Sequence, residues 1–163
     1  MRSMRTTALT ALATATLLGG LSLAPVAAQP NDDAADVVTD WNVNALGAIS
    51  ASGAAPTLGS ALMGMVHGAV YDAVVSIAGG YEPYLGQVEA EPDASKVAAA
   101  AAAAHGVLEG LFPDQSADLQ ALLDASLAEV SDGPAKDAGI AVGEAAATAM
   151  LAAREGDGRG EPN

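Results

Sequence analysis

The 163 residues include no cysteine, which excludes disulfides, thiolate metal sites and a cysteine nucleophile. Positive charge is nearly as scarce. Arg2 and Arg5 stand in the first 28 positions, where no acidic residue occurs. The other 135 residues set four Lys and Arg against 20 Asp and Glu, a formal charge of −16. A general binder of nucleic-acid backbones is thereby excluded, because such binding releases counterions to a cationic surface. One Trp, three Tyr and one Phe are too few for a base-stacking platform. No glycine-rich loop ends in Lys-Ser or Lys-Thr, and no G-x-S-x-G turn occurs, so neither a P-loop nor a hydrolase nucleophile elbow is present.

What the chain has in quantity is alanine, about a quarter of all residues, which favours helix. The first 28 residues form a separate unit. Arg2 and Arg5 precede a small apolar stretch over 8–24, and Val26 and Ala28 occupy the −3 and −1 positions of a small-residue cleavage site. This layout predicts a secretory signal peptide over 1–28, hence a secreted, periplasmic or extracellular protein. The apolar stretch is short, and Gly19, Gly20 and Pro25 weaken it as a spanning helix, so no stable membrane span is expected after cleavage. Residues 29–35 read as a flexible lead-in, 36–154 as a helical domain and 155–163, polar and glycine-rich, as a disordered tail.

The fold class is therefore all-α, a bundle of about five helices with no strand. The first helix is predicted over Asp36–Ser52, with Val37, Trp41, Leu46 and Ile49 near one face. The second covers Pro56–Ala78. Proline suits its first turn, and Leu58, Leu62, Val66, Ala69, Ala73 and Ile77 form a stripe at steps of three and four. His67 and Asp72 near its middle argue against a membrane span and for a buried central helix. Gly64 and Gly68 share a face, which predicts close approach of another helix there. A loop over 79–94 leads to a third helix, Ser95–Leu111, with Ser95 as N-cap and the smooth run Ala98–Ala104 inside it. A fourth helix is predicted over Asp114–Val130 and a fifth from Pro134 to Arg154. Short breaks predict antiparallel packing of consecutive helices. The apolar side chains are small, so the core is expected to be thin and to need further chain or a partner for completion.

Few residues offer chemistry. His67 and Tyr71 are four apart on one helix face, with Asp72 about 100° round from Tyr71. Such a set serves either proton transfer or part of a metal site. One helix supplies too few ligands for a closed site, so the expected roles are hydrogen bonds in a helix interface for His67 and Tyr71, and pairing or capping for Asp72. His105 and Glu109 read as a partly exposed helix pair. Asp32, Asp33 and Asp132 read as lead-in and turn residues, and no calcium loop is present. No catalytic, cofactor-binding or metal-binding residue is assigned, and no cofactor is expected in this chain.

Three groups of stretches, taken in order, carry a resemblance. They are Asp36 to Asn42 (DVVTDWN); Ala61 to Val74 (ALMGMVHGAVYDAV) with Tyr81 to Tyr84 (YEPY); and Leu111 to Pro113 (LFP) followed by Asp132 to Gly143 (DGPAKDAGIAVG). The chain resembles, over roughly 36–153, the N-terminal helical half of bacterial secreted proteins related to vanadium-dependent haloperoxidases, of the type-2 phosphatidic acid phosphatase superfamily. That resemblance implies an all-α fold. In a full-length relative it implies a vanadate or phosphate pocket built from Lys and Arg, a Ser-Gly-His-type segment, and a further Arg and His. None of these motifs occurs here, and no such role transfers to His67 or His105. Lys96, Lys136, Arg154 and Arg159 are scattered. The expectation is a truncated chain that is inactive alone, completed by a missing C-terminal half or by a second copy. The alternative is a free-standing exported helical module for binding or assembly. A metal-binding protein using His67 and acidic residues is a third and lesser reading.

Overall fold

The computed structural model describes residues 34–158. The signal peptide and residues 29–33 of the lead-in lie outside the described residues, as do 159–163 of the tail. Among the described residues there are five α-helices and no strand. They are α1 (Ala34–Ala51), α2 (Pro56–Ala78), α3 (Lys96–Leu111), α4 (Ser116–Ala128) and α5 (Pro134–Ala153), with a 3₁₀ turn over Pro113–Gln115.

Local chemistry explains most boundaries. Pro56 and Pro134 open α2 and α5, where a missing N–H costs no helical bond. Gly79 ends α2 at φ +68°, a conformation other residues rarely adopt, and its N–H bonds the carbonyl of Val75 at 2.8 Å. The Ser95 hydroxyl accepts the Ala98 N–H at 3.2 Å and caps α3. The larger differences from expectation are at the start of α1, at both ends of α4 and after α5. Ala34 and Ala35 belong to α1 and not to a lead-in. Pro113 starts a 3₁₀ turn, so α4 begins at Ser116 and closes at Ala128. Residues 155–158 continue from α5 in turns, with the Glu155 N–H bonded to the Ala152 carbonyl.

The centre of the bundle is α3, and not α2 as its longer apolar stripe predicts. Every residue from Ala98 to His105 is buried, which covers all faces of more than two turns, and α3 packs on each of the other four helices. Methyl-sized side chains let neighbours approach from all sides. By contrast Ala61, Gly64, Tyr71 and Ala78 of α2 face outward. Helix α2 has the length and hydropathy to cross a membrane, yet its other face is packed on α1, α3 and α5.

The closest helix approach is also elsewhere than predicted. Gly64 has no neighbour where a Cβ would stand, and Gly68 meets mainly the flexible end of Met150. The tight seam runs between α3 and α5. Gly139 lies on the carbonyl of Ser95, Gly143 lies on the carbonyl of Ala99 and the N–H of Ala103, and Gly106 faces Ala147. The numbers rise together along both helices, so α3 and α5 run parallel. Consecutive helices α1 and α2 are antiparallel, as Asn42 against His67 and Ile49 against Gly59 require. The short break after α4 does not produce a hairpin, because α5 crosses to pack on α3 and α2.

Larger side chains fill the spaces around α3. Trp41, Met65, Leu108, Leu119 and Met150 are the bulkiest of the fully buried residues. On α1, Val37, Trp41 and Ile49 are buried as expected, but Leu46 is exposed, and Ala45 and Ala48 take the inner positions. A step of five residues from Trp41 to Leu46 turns the helix by about 140° beyond a full turn, which carries Leu46 off the buried stripe.

Candidate functional site

The polar side chains that sequence reasoning grouped on α2 sit where α2 meets the loop over 79–94. Asp72 is buried within an otherwise apolar helix face. Its carboxylate accepts two backbone N–H groups from the loop, those of Tyr84 and Leu85, the latter at 3.0 Å. A buried carboxylate needs such donors, and charge-assisted bonds of this kind are stronger than neutral ones. One turn further on, the Ser76 hydroxyl accepts the Val88 N–H at 3.1 Å, and Gln87 Nε2 donates to the Ser76 carbonyl at 3.3 Å. The Tyr71 hydroxyl donates to the Glu82 carbonyl at 3.0 Å. Four side chains therefore tie the first half of the loop to α2.

His67 takes a different partner. Its Nε2 donates to Asn42 Oδ1 on α1 at 3.1 Å. His67, Tyr71 and Asp72 thus share a stretch of helix, but each bonds a separate group, and no hydrogen bond links them into a proton relay. Among the described residues no group of three or more His, Asp or Glu is placed to hold a metal ion.

His105 departs from its expected setting. It is only 7% exposed, so it does not form a partly exposed pair with Glu109. Its ring stands edge-on to Trp41 at a centroid distance of 6.3 Å, and its Nε2 is buried without a hydrogen-bond partner. The cause is α3's central position, which no local pattern around His105 reveals. Trp41 in turn donates its indole N–H to Ser126 Oγ of α4 at 3.1 Å. The indole joins three helices: it lies in α1, touches α3 and is hydrogen-bonded to α4.

Asp132 stands in the turn before α5, as the sequence predicts. Lys136 Nζ lies 2.8 Å from its Oδ1. The hydrogen bond from Lys136, and then its positive charge, hold the Asp132 carboxyl below its ordinary value of 3.8. Asp32 and Asp33 lie outside the described residues.

The described cations do not converge. Lys136 lies in the first turn of α5 and Arg154 follows its last residue, about 27 Å away along the axis. Lys96 opens α3 beside the start of α5, where the Ser95 N–H bonds the Ala135 carbonyl. Arg154 is next to Asp157, with Nε to Oδ2 at 3.8 Å. A tetrahedral trianion needs several donors aimed at one point. Lys96 and Lys136 lie at one end of the bundle and Arg154 at the other, so the three do not aim at one point.

The residues missed at the sequence level are those with distant partners: Ser76, Ser126 and the glycines of the α3–α5 seam. Gly106 and Gly110 on α3, and Gly139 and Gly143 on α5, each pair four apart on one helix face, are the local signal of that seam. No family model, no curated protein and no solved structure matches this chain.

Proposed function

We propose that this chain is the N-terminal helical portion of an exported vanadium-dependent haloperoxidase/acid-phosphatase-like protein, and that it performs no catalysis alone. The observation that carries this reading is the ordered series of stretches at 36–42, 61–74, 81–84, 111–113 and 132–143. Their residues have scaffold roles. Trp41 joins α1 to α4, Asp72 holds the backbone of Tyr84, and Gly139 and Gly143 let α5 lie against α3. An all-α architecture is what the resemblance implies, and the separated cations support inactivity of the chain alone.

Two measurements test the reading. The gene beyond codon 163 should encode the Lys- and Arg-bearing and Ser-Gly-His-type segments, in frame or after a frameshift. Non-coding sequence there would refute the family reading. The purified chain should bind no orthovanadate by calorimetry and should not brominate a dye. Stoichiometric binding would refute the claim of inactivity.

A second reading, a free-standing exported helical module for binding or assembly, draws on three exposed apolar residues, Val43 and Leu46 of α1 and Leu122 of α4. A stop without downstream coding sequence, together with a stable defined oligomer in sedimentation, favours it.

A further inference from the structure

All three tyrosines of the chain lie at one corner, Tyr71 on α2 and Tyr81 and Tyr84 in the loop that α2 pins. We propose that this corner is a docking surface for an arginine-bearing segment of another polypeptide. The proposal follows from exposure, order and charge, and stands independently of the haloperoxidase reading.

Exposure comes first. Tyr81 and Tyr84 are 75% and 65% exposed, and Tyr71 and Leu85 are exposed beside them. A soluble surface gains nothing from concentrating its aromatic rings in one place, whereas tyrosine is enriched where proteins bind proteins. Order is the second point. The loop backbone is fixed by Asp72 at Tyr84 and Leu85, by Tyr71 at Glu82 and by Ser76 at Val88. Rings carried on a pinned backbone lose less freedom on binding than rings on a loose one.

Charge selects the partner. The loop over 79–94 carries Glu82, Glu89, Glu91 and Asp93, all exposed, and no Lys or Arg. Guanidinium groups stack on tyrosine faces, and Glu82, between Tyr81 and Tyr84 in sequence and bonded through its carbonyl to Tyr71, adds attraction for them. A second copy of this chain is itself acidic, with a net charge of −14, and is a poor match for the same corner. Anionic lipid and nucleic acid are repelled for the same reason.

The test titrates the ¹⁵N-labelled protein with deca-arginine, using deca-lysine and a neutral Gly-Ser decapeptide as controls. Amide shifts should concentrate at Tyr71 and at 81–85, and deca-arginine should bind more tightly than deca-lysine. The variant Tyr81→Ser/Tyr84→Ser keeps every charge and should weaken deca-arginine binding about tenfold, as loss of two exposed ring–cation contacts requires. If the double variant loses helical circular dichroism, Tyr81→Ser alone, at the more exposed ring, should weaken binding about threefold. Shifts spread over the acidic surface with unchanged affinity in the variants would overturn the proposal. So would a dimer in sedimentation that the double variant abolishes, since the occupant would then be a second copy.

Discussion

Replacing Gly143 by alanine should destabilise the bundle, although alanine is the better helix former. An added Cβ would press on the carbonyl of Ala99 and stand 2.7 Å from the Ala102 Cβ and 2.8 Å from the Ala103 N. Carbon atoms rest about 3.5–4.0 Å apart, so α3 and α5 must separate by roughly 1 Å. Two of the obstructing atoms belong to helical backbone and have no rotamer to change. Overpacking of this kind costs about 1–3 kcal/mol and more against backbone, while the Gly-to-Ala exchange returns about 1 kcal/mol of helix propensity. The net loss should be about 2 kcal/mol, or roughly 8 °C in Tm for a domain of this size. Gly47 is the control. It lies within α1, is exposed and has nothing within 4 Å of the Cβ position, so Gly47→Ala should raise stability by about 1 kcal/mol. Urea unfolding followed by far-ultraviolet circular dichroism measures both, with the midpoint moving at constant slope. A Gly143→Ala protein as stable as the parent would refute the parallel α3–α5 seam.

Other consequences are equally direct. Asp72→Ala removes the acceptor of two loop amides and should cost about 3 kcal/mol. Hydrogen exchange should then speed up at Tyr84 and Leu85, and unchanged protection there would contradict the capping role. Trp41→Phe and Ser126→Ala should each cost about 1 kcal/mol through the indole–hydroxyl bond. In a double-mutant cycle their effects should be sub-additive, whereas strict additivity would remove that bond from the account. The Asp132 carboxyl, followed by NMR, should titrate below 3.8 and move back up in Lys136→Gln. Because the folded value is the lowered one, the pair's contribution is present above the ordinary carboxylate value and fades as pH falls through the lowered midpoint. An Asp132 midpoint indifferent to Lys136 would count against it.

Which features the sequence reveals follows from the range of the forces involved. Pro56, Pro134 and Ser95 mark helix starts because their effects lie within one turn of backbone. The stripe from Leu58 to Ile77, buried from Leu62 onward and partly buried at Leu58, marks a buried face because it needs only some neighbour, whichever it is. Both readings hold in the structure. Asp72 was legible as a group needing a partner, but the partner, the amides of Tyr84 and Leu85, stands 12 and 13 residues away. His105 reads locally as a helix-surface residue beside Glu109 and is instead enclosed, because α1 brings Trp41 over it.

Composition and local pattern alone determined the helical class, the five segments, most of their ends and the poverty of positive charge. Tertiary structure decided which helix lies at the centre, that α5 runs parallel to α3, and which glycines carry the close approach. Propensity and capping are settled among residues a few positions apart. The choice of centre depends on the joint packing of all five helices, in which the alanine run of α3 admits neighbours on every side and the bulkier α2 does not.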